Sequence, residues 1–331
     1  MKKNKILITG ASGFVGKFLI NELLKDHNNI ITAFYNRSVV KDLFMNFEDK
    51  INWVKVDLVN DILDDIPEDI NIVYHLAGYS SMGASKKELD LLNKVNVIAT
   101  QRLANKCETL PIKHFIFVSS IAVCESSKSL VINEENGVPV TPYGISKRKA
   151  EKLLIKIAKG KFNVTILRPT ALFGECHTGS VYEMTKNIKE KRFVKFGSGS
   201  TLTNFFYIKD FVSLLIIICN NKKTFNKVFI ASDTPHDLDY IIDCITRCLN
   251  LKHRTLQLPL WLGYIFASLF EFASLLLNKR LIFSYRRFKA MINKKYFTND
   301  KISKVVDLKY DYGVRKGLEL TIKWYINKGI L

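Results

Sequence analysis

The sequence predicts an α/β fold: a doubly wound parallel sheet with helices on both faces, followed by a smaller and mostly helical lobe. Three observations support this prediction. A glycine-rich turn follows the first apolar strand, β-branched runs alternate with helical stretches as far as Pro169, and the alternation becomes irregular after that residue. Strands that alternate with helices form a parallel sheet, because each crossover helix must lie on a face of the sheet.

The glycine-rich turn is the most informative of these features. After a predicted strand at 5–9, Gly10 permits a sharp exit, Gly13 lets backbone amides approach a pyrophosphate, and Gly16 lets the next helix pack against the sheet. The amides that begin that helix face the anion. Glycines also mark ordinary turns, but a strand before and a helix after them favour a dinucleotide site. Its predicted cofactor-binding residues are Thr9, Gly10, Ser12, Gly13, Phe14, Val15 and Gly16.

The other apolar runs complete the predicted sheet. We predict strands at 30–35, 51–56, 72–76, 115–119 and 164–167, and helices at 86–107, 143–159, 208–220 and 238–249. The division that follows is a dinucleotide-binding domain over 1–170 and a substrate-binding lobe over 171–331, with about 203–235 returning to the first domain. In such sheets the ligand binds in the crevice outside the carboxyl ends of the strands.

Composition narrows the class of protein. The 331 residues contain six cysteines without CxxC spacing, and no signal peptide precedes the first strand, so we expect a cytoplasmic protein without a metal site. The formal net charge of +19 is compatible with nucleic acid, an anionic membrane surface or a phosphorylated substrate. The basic residues are scattered and show no nucleic-acid-binding motif, so we expect no nucleic-acid partner.

A second motif suggests proton transfer. Tyr143 and Lys147 are four residues apart, so on a helix they share one face. An ammonium group beside the phenol lowers the tyrosine pKa, and such a tyrosine can act as a general acid or base. The alternative is a tyrosine that simply packs beside a lysine. Ser120, with Ser119 as the alternative, ends a strongly apolar strand and would orient the reacting oxygen.

Together these motifs resemble the extended short-chain dehydrogenase/reductases, and more narrowly their NAD(P)-dependent epimerase/dehydratase branch. The resemblance covers nearly the whole chain. It rests on the glycine triplet, Asp57-Leu58, His75-Leu76-Ala77-Gly78, Asn96-Val97, Val118-Ser119-Ser120, Tyr143 to Lys147, Arg168-Pro169 and Tyr207-Ile208-Lys209-Asp210.

The resemblance implies a role for each matching residue. Ser120, Tyr143 and Lys147 would be the catalytic triad, Asn96 would support the proton relay, and Lys147 would also reach the nicotinamide ribose. It also implies a Rossmann fold and a homodimer formed by a helix pair. The further residues implied to contact the cofactor are Asp57, Leu58, Leu76, Ala77, Gly78 and Pro169, and those implied to face substrate are Ser80, Ser81, Ser120 and Tyr143.

Two departures from the family pattern affect the substrate side. Thr203-Asn204 stands where the family often has an arginine, which weakens the prediction of a diphosphate clamp there. Cys124-Glu125 replaces a common Tyr-Gly after the catalytic strand, so that wall of the pocket is not defined by resemblance.

The end of the second strand predicts the cofactor. NAD-selective enzymes place a carboxylate there to hold the ribose 2′-hydroxyl, but this chain has Arg37 and no acidic residue before Asp42. A guanidinium suits a 2′-phosphate, so we predict NADP over NAD. This preference favours a reductase slightly over an epimerase, since a reductase exchanges its cofactor at each turnover.

One apolar segment, at 260–277, has several interpretations. Its 18 residues contain a single charge, Glu271, and basic residues follow it. A stripe of small or polar residues at helical spacing, which includes Gly263 and Ala267, favours a packed helix of the substrate lobe. A helix on the membrane surface, which would make the protein peripherally membrane-associated, or a spanning helix, are the alternatives.

Three functions compete at this point. The leading prediction is an NAD(P)-dependent oxidoreductase of a nucleotide-linked sugar, either a 4-epimerase or a 4-keto reductase. The second is an NADP-dependent reductase or dehydrogenase of an apolar alcohol or ketone, and the third is a dinucleotide-binding scaffold without turnover. A scaffold has no reason to keep Ser120, Tyr143 and Lys147 together, which disfavours it.

Overall fold

The computed structural model describes residues 4–36, 50–81, 83–197, 201–252, 255–277, 288, 292 and 294–331. The strands are β1 (Asn4–Thr9), β2 (Asn29–Tyr35), β3 (Ile51–Lys55), β4 (Ile72–His75), β5 (His114–Val118), β6 (Val131–Ile132), β7 (Asn163–Pro169), β8 (Ala171–Phe173), β9 (Val194–Phe196), β10 (Leu202–Thr203), β11 (Phe205–Tyr207), β12 (Lys227–Ala231), β13 (His236–Asp237), β14 (Leu256–Leu258) and β15 (Tyr296–Phe297). The helices are α1 (Phe14–Leu23), α2 (Lys86–Leu92), α3 (Ala99–Cys107), α4 (Pro142–Ala158), α5 (Ser180–Lys189), α6 (Ile208–Ile218), α7 (Leu238–Cys248), α8 (Leu260–Leu277), α9 (Asp300–Ser303) and α10 (Gly313–Asn327).

A seven-stranded parallel sheet forms the centre of the molecule, in the order β12-β7-β5-β4-β1-β2-β3. The predicted Rossmann-type sheet is confirmed, and its predicted strands agree with the observed ones to within two residues. The order reverses between β1 and β4, which opens a crevice at their carboxyl ends. The seventh strand, β12, was not predicted, although it lies in the segment expected to return to the first domain; the boundary at residue 170 stays a prediction.

The two faces of the sheet are buried in separate apolar clusters. Along β5, Phe115 and Phe117 join the cluster on the side of α3 and α4, whereas Ile116 joins the cluster on the side of α1 and α6. This division follows from the two-residue period of a strand, which directs neighbouring side chains to opposite faces. Because both faces are covered, β5 is buried along its whole length, and all of its residues except His114 are apolar.

The predicted helix at 86–107 has a local irregularity. Between α2 and α3 the chain forms a π-helical segment, Asn93–Ile98, in which Asn96 and Val97 are buried. Segments of this kind are rare and often occur at functional sites.

Helix α4 begins close to the turn that follows β5. Thr141 caps it by accepting a hydrogen bond from the Gly144 amide at 3.2 Å. A Cβ at Gly144 would lie 2.1 Å from the Ala122 carbonyl oxygen, so only glycine permits this approach. The glycine next to Tyr143 thus lets the start of α4 pack against residues 121–124.

Helix α8 packs against the rest of the chain through its small residues. Gly263 and Ala267 are buried, and a Cβ at Gly263 would lie 2.2 Å from the Phe288 ring. Trp261, Ile265, Phe266 and Leu269 are exposed, so the prediction of a packed helix holds only for the side that bears Gly263 and Ala267. Within the described ranges, no helix combines the length and apolar character needed to cross a membrane.

Candidate active site

Two adjoining cavities lie at the carboxyl ends of the central strands. One has a volume of about 520 Å³ and the other of about 320 Å³. Both are lined by Gly10, Gly13, Gly78 and Tyr79, so together they form one cleft that passes over the glycine turn. An elongated cleft of this kind matches the shape of a dinucleotide, with one half on each side of the turn.

The glycine turn fits tightly beneath this cleft. Gly10 has a φ of +69°, and a Cβ there would lie 2.8 Å from the Ala77 nitrogen. At Gly16 a Cβ would lie 2.4 Å from the Ala11 carbonyl oxygen, so the start of α1 reaches the turn only without a side chain. Gly13 precedes α1 and offers no side-chain cap, which leaves the first amides of the helix available to an anion. These residues fit a pyrophosphate.

The smaller cavity contains several of the predicted cofactor contacts. It is lined by Asp57, Leu58 and Ala77, as predicted, and also by Phe34, Tyr35, Asn36, Val56, Val59, Val95 and Ala99. The Asp57 carboxylate accepts hydrogen bonds from the Val59 amide and the Asn60 side chain, both at 2.9 Å, so it also shapes the loop it begins. Arg37, the basis of the NADP prediction, lies outside the described residues.

The larger cavity holds the three predicted catalytic side chains. Ser120, Tyr143 and Lys147 all line it, and Ser120 lies near enough to the Tyr143 phenol to affect its pKa. Ser120 also accepts a hydrogen bond from the Ala122 amide at 3.2 Å, which orients its side chain. The Lys147 ammonium donates to the Val118 carbonyl oxygen at 2.8 Å and lies 4.3 Å from the centroid of the Phe117 ring. Folding therefore brings the two predicted motifs into one cleft.

Comparison with known proteins identifies the family. Residues 6–231 match the NAD dependent epimerase/dehydratase family. The chain belongs to this family. It is therefore an enzyme of the extended short-chain dehydrogenase/reductase type, as its motifs predicted.

Individual relatives from the epimerase/dehydratase family support this assignment. The chain is 30% identical over 277 residues to a UDP-glucose 4-epimerase of Vibrio cholerae, covering 80% of this chain and 82% of the relative. It is 25% identical over 332 residues to the N-acetyl-alpha-D-glucosaminyl-diphospho-ditrans,octacis-undecaprenol 4-epimerase of Escherichia coli O157:H7, covering 97% and 95%. The structure of UDP-glucuronic acid 4-epimerase from Bacillus cereus in complex with NAD has a TM-score of 0.76, with 21% identity and coverage of 98% and 99%, and shows the same fold.

In this epimerase/dehydratase chain, the electrostatics of Tyr143 differ from the prediction. We expected Lys147 to lower the pKa of Tyr143. Instead, burial raises this pKa, and the nearby Ser120 hydroxyl lowers it by less. The expectation from helical spacing was wrong here because the ammonium group is turned toward the end of β5, where it binds the Val118 carbonyl oxygen.

The pKa of Lys147 is itself shifted. Burial lowers its pKa from 10.5 to about 8, and the negative charge of Glu151, one turn further along α4, acts in the opposite direction. A lysine with a pKa of about 8 is only partly charged under mildly alkaline conditions. Its charge is therefore sensitive to pH in the working range of many enzymes.

Three of the predicted site residues that the structure describes do not line the cleft. Thr9, Ser81 and Asn96 are absent from the linings of both cavities. Thr9 lies beneath the turn and hydrogen-bonds His75 at 2.7 Å, whereas Ser81 donates to Glu88 at 2.7 Å.

Asn96 supports the cleft from behind. It accepts a hydrogen bond from the Tyr79 amide at 2.8 Å and donates to the Tyr79 carbonyl oxygen and to the Ser146 hydroxyl, both at 2.9 Å. These bonds hold the loop after β4 against α4. A direct part in a proton relay stays a prediction.

The other predicted contacts line the cleft, together with residues that sequence reasoning missed. Phe14, Val15, Gly16, Leu76, Ser80 and Pro169 line the larger cavity, and Ser12 lines the smaller one. Ser119, the alternative to Ser120, lines the larger cavity as well. The missed residues of this cavity are Tyr79, Val118, Thr170, Leu172 and His177. His177 stacks on Phe14 with ring centroids 4.5 Å apart. Its place between Gly174 and Gly179 in the sequence was the one signal that could have indicated a loop here.

Asn204, which stands where the family often has an arginine, has a structural role in this chain. Its side-chain oxygen accepts from the Phe297 amide at 2.9 Å, and its nitrogen donates to Ser232 at 2.8 Å. The side chain is therefore occupied in joining β15 to the loop after β12.

Proposed function

We propose that this enzyme is a 4-epimerase of a nucleotide-linked sugar that works with a bound pyridine dinucleotide. The observation that carries the proposal is that Tyr143, Ser120 and Lys147 line the cavity that the glycine turn also lines. This arrangement supports proton transfer by the Tyr143 hydroxyl beside a bound dinucleotide. The curated relatives named above, which are 4-epimerases, support the same reaction.

Each catalytic side chain has a distinct task in this proposal. Tyr143 accepts the proton of the sugar 4-hydroxyl when the sugar is oxidised and returns it when the sugar is reduced. Ser120 orients the reacting oxygen through its own hydroxyl. Lys147 contributes a positive charge beside the nicotinamide ribose of the bound dinucleotide. The bound dinucleotide supplies the acceptor and donor of hydride.

The high pKa of Tyr143 favours the neutral phenol in the cofactor-free enzyme. The positive charge of an oxidised nicotinamide would favour the phenolate. Cofactor binding is therefore expected to prepare Tyr143 for proton abstraction. In this proposal the charge of Lys147 acts at the nicotinamide ribose and not through a direct contact with Tyr143.

The sequence preference for NADP over NAD remains part of the proposal, since it rests on Arg37. The Bacillus cereus structure holds NAD, which supports a pyridine dinucleotide without deciding between the two. Calorimetric titration of the purified protein with NAD and NADP tests the preference. Tighter binding of NAD refutes the Arg37 argument.

A homodimer is also proposed. The outer surface of α2 and α4 exposes Leu89 and Ile145, which are 44% and 42% accessible and line a shared groove of about 320 Å³. Paired helices at this position fit the dimer implied by the family resemblance. Sedimentation velocity of the wild type and of Ile145→Glu tests it, and a monomeric wild type contradicts it.

A second substrate class has specific support. The relative that spans nearly the whole chain acts on a sugar attached through a diphosphate to undecaprenol. In this protein the exposed apolar side chains of α8 would suit a substrate held at a lipid surface. A polyprenyl diphosphate sugar is therefore the second candidate beside a nucleotide sugar, and the chemistry at C4 is the same.

Product analysis separates these possibilities. The protein is incubated with NAD or NADP and UDP-glucose, UDP-N-acetylglucosamine or a short-chain polyprenyl diphosphate sugar, and the 4-epimers are resolved by NMR. Epimer formation without net change of cofactor absorbance supports the proposal. Stoichiometric consumption of NADPH with nucleotide 4-keto sugars or hydrophobic ketones, and no epimer from any sugar, identifies a reductase instead.

A further inference from the structure

Helix α8 exposes large apolar side chains on one side and buries small residues on the other. Trp261, Ile265 and Leu269 occupy successive turns of one side and are 61%, 47% and 58% exposed. Gly263 and Ala267 occupy the packed side. A surface helix of a water-soluble domain normally buries its large apolar residues. The outward side of α8 therefore matches an apolar environment better than water.

Steric constraints fix this orientation. A Cβ at Gly263 would lie 2.2 Å from the Phe288 ring and 2.9 Å from the Phe196 ring. Turning α8 to bury Trp261 or Ile265 would place a much larger group against these rings. The exposure of the apolar side is thus a consequence of close packing on the glycine side.

The charge of the chain indicates what covers this surface. Residues 272–299 contain seven Lys or Arg and no Asp or Glu, within a chain of net charge +19. Lys279 and Arg280 follow Leu277, the last residue of α8, within three positions of the sequence. A second copy of the chain would bring the same positive charge and repel it. Anionic headgroups would attract it.

We propose that the outward side of α8 docks into the interfacial region of a membrane that carries anionic lipids. Its contact residues are Trp261, Ile265, Phe266 and Leu269. The helix lies along the surface, with aromatic and aliphatic groups among the lipid chains and the basic charge near the headgroups. This inference is independent of the reaction proposed above, because lipid binding requires neither cofactor nor sugar.

Vesicle flotation tests the inference with the full-length protein. Vesicles of phosphatidylcholine alone are compared with vesicles that contain 30% phosphatidylglycerol at low salt. We expect about tenfold or more tighter binding to the anionic vesicles, and a marked loss of binding in high salt. Binding should also shift the fluorescence of Trp261 to the blue, and Trp261→Phe should abolish that shift while most binding remains.

Matched pairs of variants distinguish an effect of the α8 surface from an effect of negative charge added elsewhere on the protein. Ile265→Glu with Leu269→Glu adds two negative charges to the proposed surface. Ile62→Glu with Leu130→Glu adds the same charge at two side chains that are 74% and 62% exposed elsewhere. We expect the first pair to reduce binding at least tenfold and the second to have little effect. Thermal unfolding and dinucleotide binding of each variant report whether it is folded.

Three outcomes overturn the inference: wild-type protein that does not float with anionic vesicles, an α8 variant that is folded and floats as well as wild type, or equal loss in both variant pairs. Self-association that the α8 variant abolishes, in a protein that binds no vesicles, assigns this surface to a second copy and also overturns it.

Discussion

Arg168 on β7 holds Glu151 on α4 with two nitrogen atoms, Nε at 3.0 Å from Oε1 and Nη2 at 2.8 Å from Oε2. Both side chains are buried. Glu151, which lies one helical turn after Lys147, also accepts a hydrogen bond from the Ser119 hydroxyl at 2.6 Å. Ser119 is the residue before Ser120. This pair joins the strand end that bears Ser120 to the helix that bears the other catalytic groups, so it positions them without entering the reaction.

The buried pair gives the first prediction. Glu151→Gln leaves the Arg168 guanidinium buried without a carboxylate and should lower the free energy of unfolding by about 3 kcal/mol. Asp243→Asn breaks the exposed Asp243–Arg247 pair on α7 and should cost less than about 0.5 kcal/mol. Urea denaturation followed by circular dichroism measures both. Equal losses of unfolding free energy in the two variants would show that the buried pair matters no more to stability than the exposed pair does.

The second prediction concerns the pH dependence of Lys147. Its folded pKa is lowered to about 8, so the ammonium form declines above that pH, and kcat/KM should decrease with an apparent pKa near 8 in the free enzyme. Loss of Glu151 removes a charge that raises this pKa, so Glu151→Gln should move the decrease to lower pH. A profile that stays flat to pH 10 contradicts a role for the charged lysine.

The same shift has a thermodynamic consequence. Between pH 8 and 10.5 the unfolded chain keeps the Lys147 proton more strongly than the folded chain, so stability rises with pH over this window. Below pH 8 the cost of burying the charge is fully present. Wild type should therefore gain stability relative to Lys147→Met as the pH rises from 8 to 10, which denaturation at both values measures.

Tyr143→Phe is the third prediction. It removes the transferable proton and should lower kcat by about 10²-fold to 10⁴-fold, with dinucleotide affinity nearly unchanged. Tyr240→Phe, at a partly exposed tyrosine on α7 outside the cleft, is the control and should retain activity. Steady-state epimerisation and cofactor titration provide the two readouts. Full activity of Tyr143→Phe is incompatible with the assigned proton transfer.

The fourth prediction compares two glycines with left-handed backbones. Gly10 and Gly160 have φ of +69° and +75°, but a Cβ at Gly10 would lie 2.8 Å from the Ala77 nitrogen, whereas a Cβ at Gly160 meets open space. Gly160→Ala should cost about 1 kcal/mol of stability from backbone strain alone. Gly10→Ala should cost more and abolish dinucleotide binding. Thermal shift with and without cofactor measures both effects, and similar results at the two positions would disprove the close contact.

The sequence by itself determined the order of strands and helices around the glycine turn, and with it the cofactor side of the cleft. Gly10, Gly13 and Tyr143 could be assigned because their constraints are local: a backbone angle, the absence of a Cβ and helical spacing. Parallel strands then carry such residues to one edge of the sheet, so their meeting follows from topology.

Tertiary structure decided the features that depend on long-range partners. The Val118 carbonyl oxygen sets the direction of the Lys147 ammonium, and the Asn204 side chain is held by the backbone amide of Phe297, 93 residues away. Neither contact can be inferred from the spacing of residues along one helix. The same reason applies to α8: periodicity identified the side that bears Gly263 and Ala267, but only the packing of Gly263 against Phe196 and Phe288 made this side the buried one and left Trp261, Ile265 and Leu269 exposed.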